Sequence, residues 1–279
     1  LIDDGAILIG KSTTAEFAVH YETNCRNALD SNRIPGTSST GSAVSVALGV
    51  VPFALGTQTA GSLTRPASYN GIWSMKPSFG MIPRTGILKT CDTLDTIGFL
   101  TSNFENLEVV LNSLRVRGKN YPYINENVDL AKDTIPKDIK IGFIKTHTWK
   151  NLEEYNQTQI LNYVKKISKY FHLDEIELSN EFLDIHSLHT KIYHKSLSYY
   201  FKREKKLGRK LSNIIKKNIK QGELVGNADF LDALEKQTYL FNEFDKLVSN
   251  YDLIIAPGTS GIAPLKNNVE KDDSSLIWT

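Results

Sequence analysis

At 279 residues, with 41% hydrophobic, 10% aromatic and 23% charged side chains, the chain can bury one large or two small cores, and it is neither collagen-like, disordered nor a disulfide scaffold. A formal charge of +2 at pH 7 makes no demand for nucleic acid or an anionic membrane as partner. Cys25 and Cys91 form no C-x-x-C pair and settle nothing about redox compartment, fitting a reduced, cytoplasmic setting as well as any other. The longest apolar runs, such as Ala6 to Ile9 and Val50 to Leu55, fall far short of the roughly 20 residues that span a bilayer, so no membrane helix is expected. Leu1 to Gly5 has no basic region ahead of an apolar run and is no secretory signal. There is no initiator methionine, and Leu276 to Thr279 ends in an apolar run, so both ends read as cut from a longer protein.

In chain order, Ala6 to Ile9 reads as a short strand ended by Gly10. Ser42 to Leu48 is apolar nearly all round and closed by Gly49, which predicts a helix covered on every side in a layered α/β core. Val51 to Thr57 reads as the next strand, with Pro52 near its start. Ser102 to Glu105 forms a capping box, and Phe104, Leu107, Val110, Leu111 and Leu114 follow at helical spacing. Composition shifts near Gly118, and Lys119 to Pro136 reads as a surface connection. Beyond it, Ile139, Ile141 and Phe143 alternate as in a half-buried strand, and Ile160, Val164, Ile167 and Phe171 mark one face of a helix. Glu181 to Asn250 is helical by composition, and Leu253 to Ala256 is a short buried strand stopped by Pro257 and Gly258. The predicted fold is α/β, a mixed central sheet sandwiched by helices. Its parts are residues 1–118, a connection at 119–138 and a second part at 139–279 with a variable helical segment at 181–250.

Two loops rich in glycine and hydroxyl side chains bracket the first helix and its following strand: Gly36 to Ser42 and Gly56 to Ser62. Small residues at the ends of core elements let backbone N–H groups approach an oxyanion or a phosphate, although the same residues also build plain turns. A P-loop needs lysine after its second glycine, and Gly41 is followed by Ser42. A nucleophile elbow needs G-x-S-x-G, and Gly36 to Gly41 has the wrong spacing and no histidine nearby. The remaining type is a serine nucleophile whose proton leaves through a second serine.

The residues that carry a family resemblance are Pro35 to Ala43, Ala54 to Ser62, Arg65-Pro-Ala67 and Met75-Lys-Pro77. With these segments, residues 5 to about 115 resemble the amidase signature family. Gly10 to Phe17, Thr93 to Gly98 and Leu253 to Pro257 resemble further family segments, Thr93 standing where the family usually has serine. The resemblance implies that Ser62 is the acyl-accepting nucleophile and that Ser38, preceded by a cis peptide from Thr37, bridges its proton onward. It also implies an oxyanion hole from the N–H groups of Thr59, Ala60, Gly61 and Ser62, where losing one donor costs about 3 kcal/mol of barrier, with Ser39 supporting the loop. Gly61 keeps a side chain out of the substrate's way. The family's third catalytic member, a neutral lysine, lies upstream of anything present here. Lys11 and Lys76 match other family positions and read as structural, since neither context shows the desolvation that a lysine base needs.

Thr37 and Thr40 stand where the family often has glycine, Gln58 where the glutamyl-tRNA amidotransferase subunits often have aspartate, and Arg65 lies one residue later than in those subunits. These departures favour a general amidase that converts a carboxamide to a carboxylate without cofactor or metal. A non-catalytic binding protein of the same fold and a tRNA-dependent amidotransferase subunit stay open, as does a homo-oligomer. The basic stretch from Lys202 to Leu211 with Lys216, Lys217 and Lys220 follows Tyr199 to Phe201 and could meet RNA, but it reads as a solvated helix. His186, His189 and His194 lack a third ligand at recognisable spacing and read as surface or packing residues. Trp73, Met75 and Phe79 read as core. The partner expected is a small-molecule amide, with no membrane and no nucleic acid.

Overall fold

The computed structural model describes residues 1–19, 23–116, 138–207 and 210–279. The expected connection at 119–136 lies outside these, as do Gly208 and Arg209 of the basic stretch. Two units result: residues 1–133 with 262–270 and Thr279, and residues 134–261 with 271–278.

In the first unit, helix α1 (Thr40–Ala47) is followed by strand β1 (Phe53–Gln58), helix α2 (Thr64–Asn70), strand β2 (Trp73–Met75), strand β3 (Thr96–Thr101) and helix α3 (Glu105–Leu114). β3 is central, pairing antiparallel with both β1 and β2, and every residue of it is buried. Strand alternation sends Ile97 and Phe99 to one face, where they pack with Leu107, Val110 and Leu111 of α3. Leu100 turns to the other face, against Ala43 and Val46 of α1 and Leu63 and Ala67 at α2. Helices therefore cover both faces of this sheet, as the apolar patterning predicts.

The details differ from the sequence expectation in four places. Ala6 to Ile9 forms no strand, and Ile7, Leu8 and Ile9 are 70% or more exposed, because no partner strand lies alongside them among the described residues. α1 is buried at Thr40 to Ala43 and at Val46, whereas Leu48 past its end is 61% exposed, so its cover is one-sided. The first turn of α3 is capped by Asn103, whose Oδ1 accepts from the Asn106 N–H at 3.0 Å, while the Ser102 hydroxyl turns to the Pro52 carbonyl. Trp73 is half exposed and meets Phe104 edge to face, although Met75 does pack on the core.

In the second unit, strand β4 (Lys140–Ile144), helix α4 (Glu154–Ile167) and strand β5 (His172–Ile176) form a β-α-β unit. Helices α5 (Ile185–Tyr200), α6 (Lys202–Lys206), α7 (Asn213–Leu224) and α8 (Asn227–Val248) follow, then strand β6 (Leu253–Ile255). β4 lies between β5 and β6 and is parallel to both. A central parallel strand is covered on both faces, which is why Ile141 to Ile144 are all buried instead of alternating. β6 is an edge strand with Leu253 54% exposed, not the buried strand its composition implies. Among the described residues the strands form two three-stranded sheets, one antiparallel and one parallel, in keeping with the α/β fold of sheets flanked by helices.

His147 follows β4, and both its ring nitrogens are buried without a hydrogen-bond partner among the described residues. Burial, and secondarily the neighbouring His186 ring 4.8 Å away, lower its pKa to about 4, against a smaller upward pull from Asp272 and Asp273. In the unfolded chain the imidazole titrates near 6.5, so the unfolded state binds the extra proton first as pH falls. Stability contributed by the neutral ring is intact above pH 6.5 and is lost between about 6.5 and 4. Urea unfolding at pH 7.0, 5.5 and 4.5 should show a loss of about 1–2 kcal/mol, below the full linkage value because the ring is partly exposed. His147→Asn should flatten that slope, and an unchanged slope contradicts the assignment.

Candidate active site

The two serine loops end up side by side because strand and helix lengths leave no slack between them. β1 ends at Gln58, and residues 59–63 turn the chain into α2. The Gln58 side chain is fully buried, and its Oε1 accepts from the N–H groups of Leu63 and Thr64 and from the Thr64 hydroxyl, at 3.0 to 3.2 Å. These are orphan donors of the α2 N-terminus, so a side chain from the strand caps the helix that follows it. Gln58 Nε2 donates to Thr279 Oγ1, which in turn donates to the Ala60 carbonyl at 2.8 Å.

Gly36 to Ser39 makes the second loop, running into α1. The Thr37–Ser38 peptide is cis, the conformation that the resemblance implies for it. The Ser38 carbonyl accepts from the Ala15 N–H at 3.2 Å and from the Thr14 hydroxyl at 3.0 Å. Ser39 joins the two loops: its N–H donates to the Ser62 carbonyl at 3.2 Å, and its Oγ donates to the Thr57 carbonyl and accepts from the Thr57 N–H, both at 3.3 Å. A Cβ on Gly56 would stand 2.7 Å from that same Oγ, and one on Gly41 would stand 2.6 Å from the Thr13 backbone nitrogen. Glycine at these positions is a packing requirement.

Ser38 is 1% exposed, and its Oγ has no hydrogen-bond partner among the described residues. A buried hydroxyl without a partner is unfavourable by about 1–3 kcal/mol. Thr59 at the start of the turn and Ser62 near its end are partly exposed, while Gly61 is buried. A partly exposed serine, a buried hydroxyl and a run of backbone N–H groups are the types of group that acyl transfer uses. Lys11 is exposed. Lys76 is not: burial lowers its pKa, and its Nζ donates to the Pro77 carbonyl at 3.1 Å. The sequence context shows no such desolvation, because the cover comes from folding. Among the described residues no group of three or more His, Cys, Asp or Glu side chains is placed to hold a metal ion. His189 stacks on Tyr193.

Two supports of the site have no local sequence signal. Asp95, buried just before β3, takes four hydrogen bonds: from the Thr59 and Thr90 hydroxyls and from the Thr90 and Cys91 N–H groups, at 2.7 to 2.9 Å. It ties the start of the Ser62 turn to the sheet. Glu270, whose side chain is 3% exposed, accepts from Arg65 Nη1 at 3.1 Å and from the Thr37 hydroxyl at 3.4 Å. Only the Thr93 to Gly98 resemblance pointed toward Asp95, and nothing pointed toward Glu270. The capping role of Gln58 makes a direct test: Gln58→Leu keeps the volume but strands two helix donors. It should cost about 2–3 kcal/mol in urea unfolding, and a loss below about 0.5 kcal/mol contradicts the cap.

Comparison with known proteins bears on the fold and the family. A family model described as Amidase matches residues 1–278. A glutamyl-tRNA(Gln) amidotransferase subunit of Staphylococcus haemolyticus is 30% identical over 92% of this chain, which spans 60% of that protein's length. Two solved structures share the fold. A crystal structure of an amidase has a TM-score of 0.76 and 24% identity over 90% of this chain and 55% of its own. Allophanate hydrolase of Kluyveromyces lactis has a TM-score of 0.83 and 21% identity over 95% of this chain and 45% of its own. With the family model matching along nearly its whole length, the chain belongs to the amidase family.

Proposed function

We propose that the protein hydrolyses a carboxamide to a carboxylate and ammonia or an amine through a serine acyl-enzyme, with this chain carrying the acyl-transfer part of the site. The observation that supports it most is the buried, unpartnered Ser38 hydroxyl on a loop bonded to the Ser62 turn. Ser62 Oγ attacks the amide carbon while its proton passes to Ser38 Oγ, whose own proton goes to a base. The developing oxyanion lies against the N–H groups of Thr59, Ala60, Gly61 and Ser62. The departing nitrogen takes the proton back along the same relay, and water then releases the acyl group from Ser62.

The base in this reading is a neutral lysine supplied from outside these 279 residues, since no lysine here matches the family's catalytic position. The chain alone is then inactive. Cytoplasmic residence belongs to the same reading and rests on two free cysteines; no helix among the described residues is long and apolar enough to cross a membrane. A second reading, in which the protein serves an amidotransferase as one of its subunits, is favoured by the S. haemolyticus relative. Glutamine-dependent transfer and salt-sensitive tRNA binding would mark it.

Fluorophosphonate labelling with peptide mapping tests the mechanism on this chain and on the protein extended upstream. The extended protein should be labelled at Ser62, and this chain should not. In the extended protein, Ser62→Ala should abolish amide hydrolysis with the fold retained, and Ser38→Ala should slow acylation at least about a hundredfold. Turnover retained in Ser62→Ala overturns the assignment.

A further inference from the structure

The turn from Thr59 to Leu63 carries the successive N–H groups of Ala60, Gly61 and Ser62, which donate to no acceptor among the described residues. Backbone donors in such a run favour negative charge where they converge, and their effect depends on how firmly each peptide plane is held. Two polar contacts hold this turn from outside. Asp95 accepts from the Thr59 hydroxyl at 2.7 Å, ahead of the run. Thr279, 219 residues away in sequence but in the same unit, donates its hydroxyl to the Ala60 carbonyl at 2.8 Å, within the run.

Chemistry fixes the direction of that second contact. Gln58 Oε1 accepts from the Leu63 and Thr64 N–H groups and from the Thr64 hydroxyl, so its amide has one orientation and Nε2 is the end that meets Thr279. An amide nitrogen only donates. The Thr279 hydroxyl therefore accepts from Nε2 at 3.3 Å and directs its one proton to the Ala60 carbonyl. Each bond in such a chain polarises the next, which strengthens the hold on that carbonyl. The Ala60–Gly61 peptide is trans, so the Ala60 C=O and the Gly61 N–H point to opposite sides of one rigid plane. Fixing the carbonyl on one side aims the N–H on the other, and charge drawn toward the carbonyl oxygen makes that N–H a stronger donor.

We propose that Thr279 is a positioning residue for the candidate active site: by holding the Ala60 carbonyl it aims the Gly61 N–H at the oxyanion that forms when Ser62 attacks. It acts through a peptide plane and not on the substrate. Gln58 has two tasks in this arrangement, since its oxygen caps α2 while its nitrogen orients the Thr279 hydroxyl. One buried side chain thus fixes both the end of the turn and its middle. The proposal rests on the amidase reading for the reaction it serves. A purely structural tether would disturb fold or binding when removed, whereas loss of the Thr279 hydroxyl slows the step that forms the oxyanion and leaves the preceding binding in place.

The test uses an alkyl fluorophosphonate on the upstream-extended protein. Ser62 Oγ bonds to phosphorus as fluoride leaves, and the phosphoryl oxygen takes the position of the oxyanion. In Thr279→Val, which keeps the shape of the side chain without its hydroxyl, the maximal labelling rate should fall at least about tenfold, while the half-saturating concentration stays within about threefold. Thr279→Ser restores the hydroxyl and should recover most of the rate. In the labelled proteins the phosphorus-31 resonance of the adduct should lie further upfield in Thr279→Val than in wild type, because the hydrogen bond to the phosphoryl oxygen is weaker. A purely structural role would leave that resonance in place. Should Thr279→Val lose its melting transition, Gln58→Glu carries both readings: its carboxylate keeps the cap on α2 but can only accept, which turns the Thr279 hydroxyl away from Ala60. Wild-type labelling rate in Thr279→Val, an equal loss in Thr279→Ser, or an unmoved resonance overturns the proposal and leaves the amidase reading standing. Absence of labelling at Ser62 in the wild type overturns the amidase reading, and this proposal with it.

Discussion

Everything in the candidate site depends on two chain turns lying within one backbone hydrogen bond of each other. Ser39 N–H to Ser62 O is that bond, and the Ser39 hydroxyl repeats the connection at Thr57. Such closeness leaves no room for a side chain at position 56, against the Ser39 hydroxyl, while glycine at position 41 answers to the Thr13 backbone instead. The sheet supplies the rest of the constraint. β3 is buried along its whole length and fixes β1 in register, so the end of β1, and with it the Ser62 turn, has one place to be. Electrostatics then refine the arrangement at the two ends of the turn. Asp95 holds Thr59 through its hydroxyl, and Gln58 caps α2 with a neutral acceptor.

How much of this could be read from the chain depends on distance along it. Helix α1, strand β1 and helix α3 were legible because their apolar spacing and their glycine or proline boundaries are local. The serine loops were legible because close packing demands small residues in a run. Pairing was not, since one chain's pattern cannot say which strand lies beside which. Ala6 to Ile9 looks like a strand by composition and fails for want of a neighbour among the described residues, whereas β4 looks half-buried and is buried from Ile141 to Ile144 as the central parallel strand between β5 and β6. The α3 cap moved from Ser102 to Asn103 because two adjacent polar residues both suit the role, and the Pro52 carbonyl engages the Ser102 hydroxyl.

The charged groups illustrate the same limit more sharply. Lys76 sits in a short motif with nothing local to announce burial, yet burial is what lowers its pKa. A residue's chemistry is written in its type, but its availability is set by neighbours that only the fold supplies.

The Arg65–Glu270 pair carries a consequence for how the protein is made. Glu270 belongs to the first unit, although the whole run 134–261 of the second unit intervenes in sequence. A buried cation left without its anion is strongly disfavoured. During synthesis Glu270 emerges only after residues 134–261, so its bonds to Arg65 and to the Thr37 hydroxyl form once that whole run has been made. Any expression boundary drawn between the two units by sequence alone would separate the site from the residue that completes it.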